Sequence, residues 1–233
     1  MDAALTPLEF VELFPPFVTC AIIGVRNSGK SVLTQQIIKA VQKKKMVDIV
    51  IVMSGSAQLN DDYSFLPEGA LMNFNDGLLH RIWNKQVADK KEGKEKKLLI
   101  VFDDCLTDKN AIRNEIIQKI WVQGRHVSIN SFLLSQYPAY ITSPIILGNS
   151  DFLMTSKLNR QAIERVWEST VGISKKDFIN ITESIAGVDY TFLVINNYCK
   201  SPKPEDYLTY VRGTKEKPKK SKAKSKDKDS DSE

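Results

Sequence analysis

The sequence predicts an α/β domain: a mostly parallel central sheet flanked by helices. Short apolar runs alternate with helix-length amphipathic segments, the pattern of βαβ units. In addition, Gly24-Val25-Arg26-Asn27-Ser28-Gly29-Lys30-Ser31 reads G-x-x-x-x-G-K-S between such a run and such a segment. That is a phosphate-binding loop in the context it requires. Glycines at both ends let the chain wrap closely around a polyphosphate with its N–H groups inward. Lys30 then reaches the β and γ phosphates, and Ser31 offers a hydroxyl to Mg²⁺.

Each element has its own signal. Residues 19–23 are a short apolar strand, and 30–42 place Val32, Leu33, Ile37, Ile38 and Val41 on one helical stripe. A β-branched run follows at 48–53, then a turn-rich stretch at 54–69. Asp76 fits the N-cap of a helix carrying Leu78, Leu79, Ile82, Trp83 and Val87. The lysine-rich segment 90–97 separates it from a strand starting at Leu98. Asp108 fits another N-cap, before the stripe Ile112, Ile116, Ile117, Ile120 and Trp121. Strands are expected at 128–135, 151–154 and 190–196, with helices near 159–169 and 175–186.

Composition narrows the class. The 233 residues carry a formal charge of +5, and eight lysines against five acids lie from Lys215 onward, so the body is close to neutral. Cys20, Cys105 and Cys199 are far apart, without metal-ligand spacing, and suit free thiols in a reducing compartment. Residues 1–12 hold acids and no basic residue, unlike a signal peptide, and no apolar run approaches the ~20 residues of a membrane span. A cytosolic-type domain over 1–212 and a Lys/Ser/Asp-rich tail over 213–233 are expected. The tail has no large apolar residue to offset its ordering entropy.

Two further strand ends carry chemistry. Leu98-Leu99-Ile100-Val101-Phe102-Asp103-Asp104 puts two acids at the carboxyl edge of a parallel sheet, where ligands bind. Asp103 would hold Mg²⁺ through its water shell. Asp104 either orients and polarises the attacking water or caps the turn into Cys105. Phe132-Leu133-Leu134-Ser135-Gln136 ends in a polar pair. If its strand lies between those bearing the loop and Asp103, Gln136 faces the γ phosphate; otherwise it satisfies loop backbone.

The segment from Gly124-Arg125-His126-Val127 through Ser135-Gln136-Tyr137-Pro138 resembles the corresponding region of the FtsK/HerA superfamily of ring-forming DNA pumps. Residues 145–155 and Ser156-Lys157-Leu158-Asn159-Arg160 are similar to the next strand and helix of that family. With the loop and Asp103-Asp104, the similarity covers roughly residues 17–167. The compact size and the Asp-Asp pair look most like the poxvirus-type genome-packaging ATPases of large eukaryotic DNA viruses and virophages. Cellular members more often have Asp-Glu here, so Asp104 gives a catalytic base of shorter reach.

The resemblance implies an additional-strand (RecA/FtsK/HerA-like) P-loop NTPase, with principal strands in the order 5-1-4-3-2 and Lys30, Ser31, Asp103, Asp104 and Gln136 at one edge. It also implies ATP with Mg²⁺ and a homo-oligomeric ring, pentamer or hexamer, threaded by double-stranded DNA. A capsid or portal-vertex partner and a location in the host-cell cytoplasm or the virion follow from it. The rival is a cellular HerA-like pump; a nucleotide-gated structural protein with feeble hydrolysis is the alternative outside the enzyme class.

Arg125 precedes its strand, whereas the nucleotide motifs lie at strand carboxyl ends, roughly 20 Å away. It is therefore better placed for a neighbour's nucleotide than for its own. Arg160 is the rival for a role in trans, and a plain surface arginine is the third reading. DNA contact is expected on Lys90, Lys91, Lys94, Lys96 and Lys97 around Gly93; Lys43 to Lys45 equally suit a helix C-terminus. The tail serves phosphate tethering, solubility or docking.

Overall fold

In the computed structural model, the described residues are 4–55, 62–105, 113–136, 143–168, 170, 172–185 and 187–214. Thr6 opens the chain with a capping box: its hydroxyl accepts from Glu9 N, and the Glu9 carboxylate accepts from Thr6 N. The short helix α1 (Pro7–Phe10) follows and runs on as a tight turn that buries Phe10 and Val11. Next come β1 (Thr19–Ile23), α2 (Lys30–Lys43), β2 (Ile49–Ser54), the two-residue β3 (Leu71–Met72) and α3 (Asp76–Lys91). Then follow β4 (Leu98–Asp103), α4 (Glu115–Gln123), β5 (Ile129–Ser135), α5 (Pro144–Gly148), β6 (Phe152–Thr155) and α6 (Arg160–Trp167). The described elements end with α7 (Lys175–Ile185), β7 (Thr191–Asn196), α8 (Pro204–Tyr207) and β8 (Leu208–Arg212).

These strands form one sheet in the order β3-β2-β4-β5-β1-β6-β7-β8. Pairing is parallel from β3 to β6 and antiparallel from β6 to β8. Counting only the five principal strands, which begin at Thr19, Ile49, Leu98, Ile129 and Phe152, the order is 5-1-4-3-2, as the resemblance implied. Every residue of β4 and β5 is buried, which is why these strands read as continuous apolar runs rather than alternating ones. The pleat sorts them onto two cores. Ala21, Ile100 and Leu133 pack under α3, α4, α6 and α7, while Ile22, Val101 and Leu134 pack against α1 and α2. Asn130 stitches the middle together: its Oδ1 accepts from Val18 N and its Nδ2 donates to Leu98 O, each at 2.9 Å and buried.

Several boundaries differ from the sequence reading. Asn75, not Asp76, caps α3, because its side chain is the one that accepts from Leu78 N. Asp108 and Ile112 lie outside the described residues; α4 starts at Glu115, with Asn114 as its cap. Ser128, expected in a strand, stands just before β5 in the left-handed region (φ 62°). The helices α1, α5 and α8 and the strands β3 and β8 carry no periodic signal in the sequence, being too short or too mixed in composition to show one. Gly213 and Thr214, assigned to the tail, dock on the body: Gly213 N donates to Tyr190 O at 3.0 Å, and Gln36 bonds the Thr214 backbone. The rest of the tail lies outside the described residues.

Candidate nucleotide site

The loop from Gly24 to Ser31 leaves the carboxyl end of β1 and enters α2. Gly24 N donates to Ser135 O at 3.2 Å, and Val25 N to Lys157 O at 3.3 Å, so β5 and the segment after β6 fix its entry. Asn27 and Gly29 are left-handed (φ 61° and 91°), which turns the chain inward. A Cβ at Gly24 would lie 2.5 Å from Ser28 Oγ, and one at Gly29 would collide with the Tyr190 ring. Space leaves no room for a side chain at either position, and at Gly29 the left-handed backbone adds a conformational reason.

Asparagine side chains cap α3, α4 and α6, whereas no side chain caps α2, so its leading N–H groups remain open to an anion. Ser28 Oγ is buried without a hydrogen-bond partner in the same loop. Lys30, 5 % exposed, folds back on the loop and donates to Gly24 O at 3.0 Å and Val25 O at 3.3 Å. Burial lowers its pKa, against the opposing pull of Asp104 and Asp103. An ammonium held on carbonyls, an orphaned hydroxyl and an uncapped helix start form a cradle short of negative charge. A polyphosphate fits it.

The acids meet this cradle from β4. Asp103 Oδ2 accepts from Ser31 Oγ at 3.3 Å and from Tyr63 Oη at 2.6 Å. Burial raises the Asp103 pKa, offset in part by the Tyr63 and Ser31 hydrogen bonds and by Lys30. A hard, hydroxyl-and-carboxylate pair beside a phosphate cradle fits Mg²⁺. Asp104 turns out of the strand in the left-handed region (φ 46°), so its carboxylate leaves the β4 ladder. Its Oδ2 lies 3.9 Å from Lys30 Nζ and accepts from Gln136 Nε2 at 2.7 Å. Because β5 lies between β1 and β4, Gln136 reaches this edge, as the sequence reading required of it. Cys105 behind the acids is pushed up to about 12 by burial and stays a thiol.

The remaining candidates lie elsewhere. Arg125 is exposed in the tight turn before β5, at the opposite edge of the sheet. It borders an open cleft of about 420 Å³ lined also by Trp121, Asn149, Asp151 and Asn197. Arg160 opens α6 on the phosphate-loop edge, 73 % exposed and 3.6 Å from Glu164. Lys90 and Lys94 are paired with Glu95 and Glu92 at 2.8 and 2.9 Å, while Lys91, Lys96 and Lys97 are exposed. These lysines precede β4, on the same edge as Arg125. Two site residues escaped the sequence reading. Tyr63 sits in a stretch without periodicity, and Tyr190, which the apolar run places in a strand, turns outside β7 (φ 57°).

Sheet order, phosphate loop and paired acids together give an α/β fold of the P-loop type. No family model matches the chain, and no curated protein matches it by sequence. Among solved structures it is similar to B204, the DNA-packaging ATPase of Sulfolobus turreted icosahedral virus, with TM-score 0.60 and 16 % identity over 86 % of this chain and 99 % of that one. The genome-packaging NTPase B204 of Sulfolobus turreted icosahedral virus 2 with AMPPCP gives 0.57 and 12 %, over 86 % and 100 %. The pCW3 conjugation coupling protein TcpA with ATPγS gives 0.60 and 15 %, over 84 % of this chain and 60 % of that one. No described helix is long and apolar enough to cross a membrane.

Proposed function

We propose that this chain is an ATP-driven double-stranded DNA translocase that packages a viral genome into a capsid. The observation that carries the reading is the convergence of Lys30, Ser31, Asp103, Asp104 and Gln136 at one edge of a sheet whose similarity spans nearly all of a packaging ATPase. The likeness to TcpA favours a conjugation-type pump as the second reading, but it spans only 60 % of that chain.

In this mechanism Lys30 and the start of α2 bind the β and γ phosphates. Ser31 and Asp103 would hold Mg²⁺, which when bound neutralises phosphate charge. Asp104 accepts the proton of the attacking water. Gln136 ties Asp104 to the end of β5, so a change at the γ phosphate is felt by that strand. Arg125 reaches the site of a neighbouring subunit in a ring, pentamer or hexamer, with Arg160 as its rival. Lys91, Lys96 and Lys97, joined by Lys90 and Lys94 when their local pairs open, track the DNA backbone. A capsid or portal-vertex protein anchors the ring, in the host-cell cytoplasm or on the virion.

The test is ATP turnover by the purified chain with and without linear duplex DNA, alongside native mass measurement with nucleotide present. DNA-stimulated turnover by a closed oligomer is expected. Tight nucleotide binding with negligible turnover in both conditions would instead identify a nucleotide-gated structural protein.

A further inference from the structure

Tyr63 is 3 % exposed, and its ring belongs to the same buried cluster as Val52, Leu66 and Val101. Its hydroxyl leaves that apolar setting to donate to Asp103 Oδ2 at 2.6 Å, while the Ser31 hydroxyl reaches the same oxygen at 3.3 Å. A tyrosine needed only for packing has no use for a hydroxyl at this depth. A donor to a buried carboxylate, by contrast, is among the stronger hydrogen bonds available. The short bond is to Tyr63, so the phenol rather than the serine sets how the carboxylate is turned. Both hydroxyls go to Oδ2, so Tyr63 and Ser31 together limit how the carboxylate can rotate.

We propose that Tyr63 is a positioning residue of the metal site: its hydroxyl holds the Asp103 carboxylate in the orientation that accepts Mg²⁺ and so sets the affinity of the nucleotide site for the ion. This rests on the reading of Ser31 and Asp103 as the metal-holding pair. Partners of this kind, one bond removed from a metal, typically change metal affinity by roughly 10- to 100-fold when lost.

The test titrates Mg²⁺ into the protein with a fluorescent ATP analogue and reads binding rather than turnover. Tyr63→Phe should raise the Mg²⁺ concentration at half-effect by about 10-fold, while affinity for the analogue in EDTA stays as in the parent. In an Asp103→Asn background the same change should add nothing. An unmoved Mg²⁺ midpoint in Tyr63→Phe, with Asp103→Asn clearly shifted, would leave Tyr63 a packing residue and overturn the proposal. A lowered midpoint would mean the hydroxyl competes with the ion, and would also overturn it. If Asp103→Asn itself is unshifted, the metal-site reading fails first. Should Tyr63→Phe not fold, 3-fluorotyrosine placed at position 63 alone retains ring and donor. Its fluorine resonance should move when Mg²⁺ joins the bound analogue, and a fixed resonance overturns the proposal.

Discussion

At the scale of single residues, the proposed mechanism separates binding from chemistry. In it Lys30 compensates phosphate charge in ground and transition states alike, so Lys30→Ala should abolish nucleotide binding and turnover together. Asp104→Asn keeps size and the Gln136 contact but cannot take a proton. Binding should survive while turnover falls by ~10²-fold or more, and equal turnover in variant and parent removes Asp104 from the mechanism. Asp103 gives a pH signature. Burial raises its pKa, so the folded, ligand-free protein binds this proton more readily than the unfolded chain does. That contribution to stability is full below the unfolded carboxylate pKa and is lost as pH rises through the folded one. In urea unfolding without ligand, Asp103→Asn should match or exceed the parent at pH 7, and the difference should shrink as pH falls through the carboxylate range. A variant clearly weaker at pH 7 would mean that the Tyr63 and Ser31 bonds outweigh the burial cost.

At the scale of elements, the site depends on β5 being held between β1 and β4. Asn130 does this at the amino end, where its amide supplies the bonds that Val18 N and Leu98 O need. Asn130→Ala strands both buried groups and should cost about 2–4 kcal/mol by urea unfolding. Because it acts at the far end of the strand, nucleotide affinity of the folded fraction should change little. A loss below about 0.5 kcal/mol would mean water replaces the amide. Nothing local in the sequence marks Asn130 or its two backbone partners. The partners come from Val18, just before β1, and from Leu98 in β4, 112 and 32 residues away along the chain.

At the scale of the molecule, the candidate nucleotide site lies at one edge of the sheet, with Arg125 and the lysines of 90–97 at the other. This bears on the arginine supplied in trans, whose contribution to phosphoryl transfer can reach roughly 10³- to 10⁵-fold. Arg125→Ala should bind nucleotide normally and hydrolyse it poorly. Mixed with Lys30→Ala subunits, which keep the arginine, it should regain activity wherever a competent site meets an intact arginine. Co-purification of differently labelled subunits must first establish that mixed oligomers form. If they do and activity returns only when Arg160→Ala replaces Arg125→Ala in the mixture, the role belongs to Arg160.

By itself the sequence determined the phosphate loop, the alternation of strands and helices, and the two acids at the end of β4. Each is a local pattern: a glycine spacing, a hydrophobic period, a polar residue ending an apolar run. Asp103 and Gln136 were legible because a strand's carboxyl end is recognisable within a few residues. The antiparallel edge of β7 and β8, the packing of Tyr190 on Gly29 and the Tyr63–Asp103 bond were decided only by the tertiary structure. Tyr63 and Asp103 lie 40 residues apart, Tyr190 is far along the chain from Gly29, and β7 and β8 pair across the short helix α8; no local period records which segments the chain brings side by side. The chain alone carries the loop proposed to bind phosphate; the fold decided which hydroxyls bond the acid beside it.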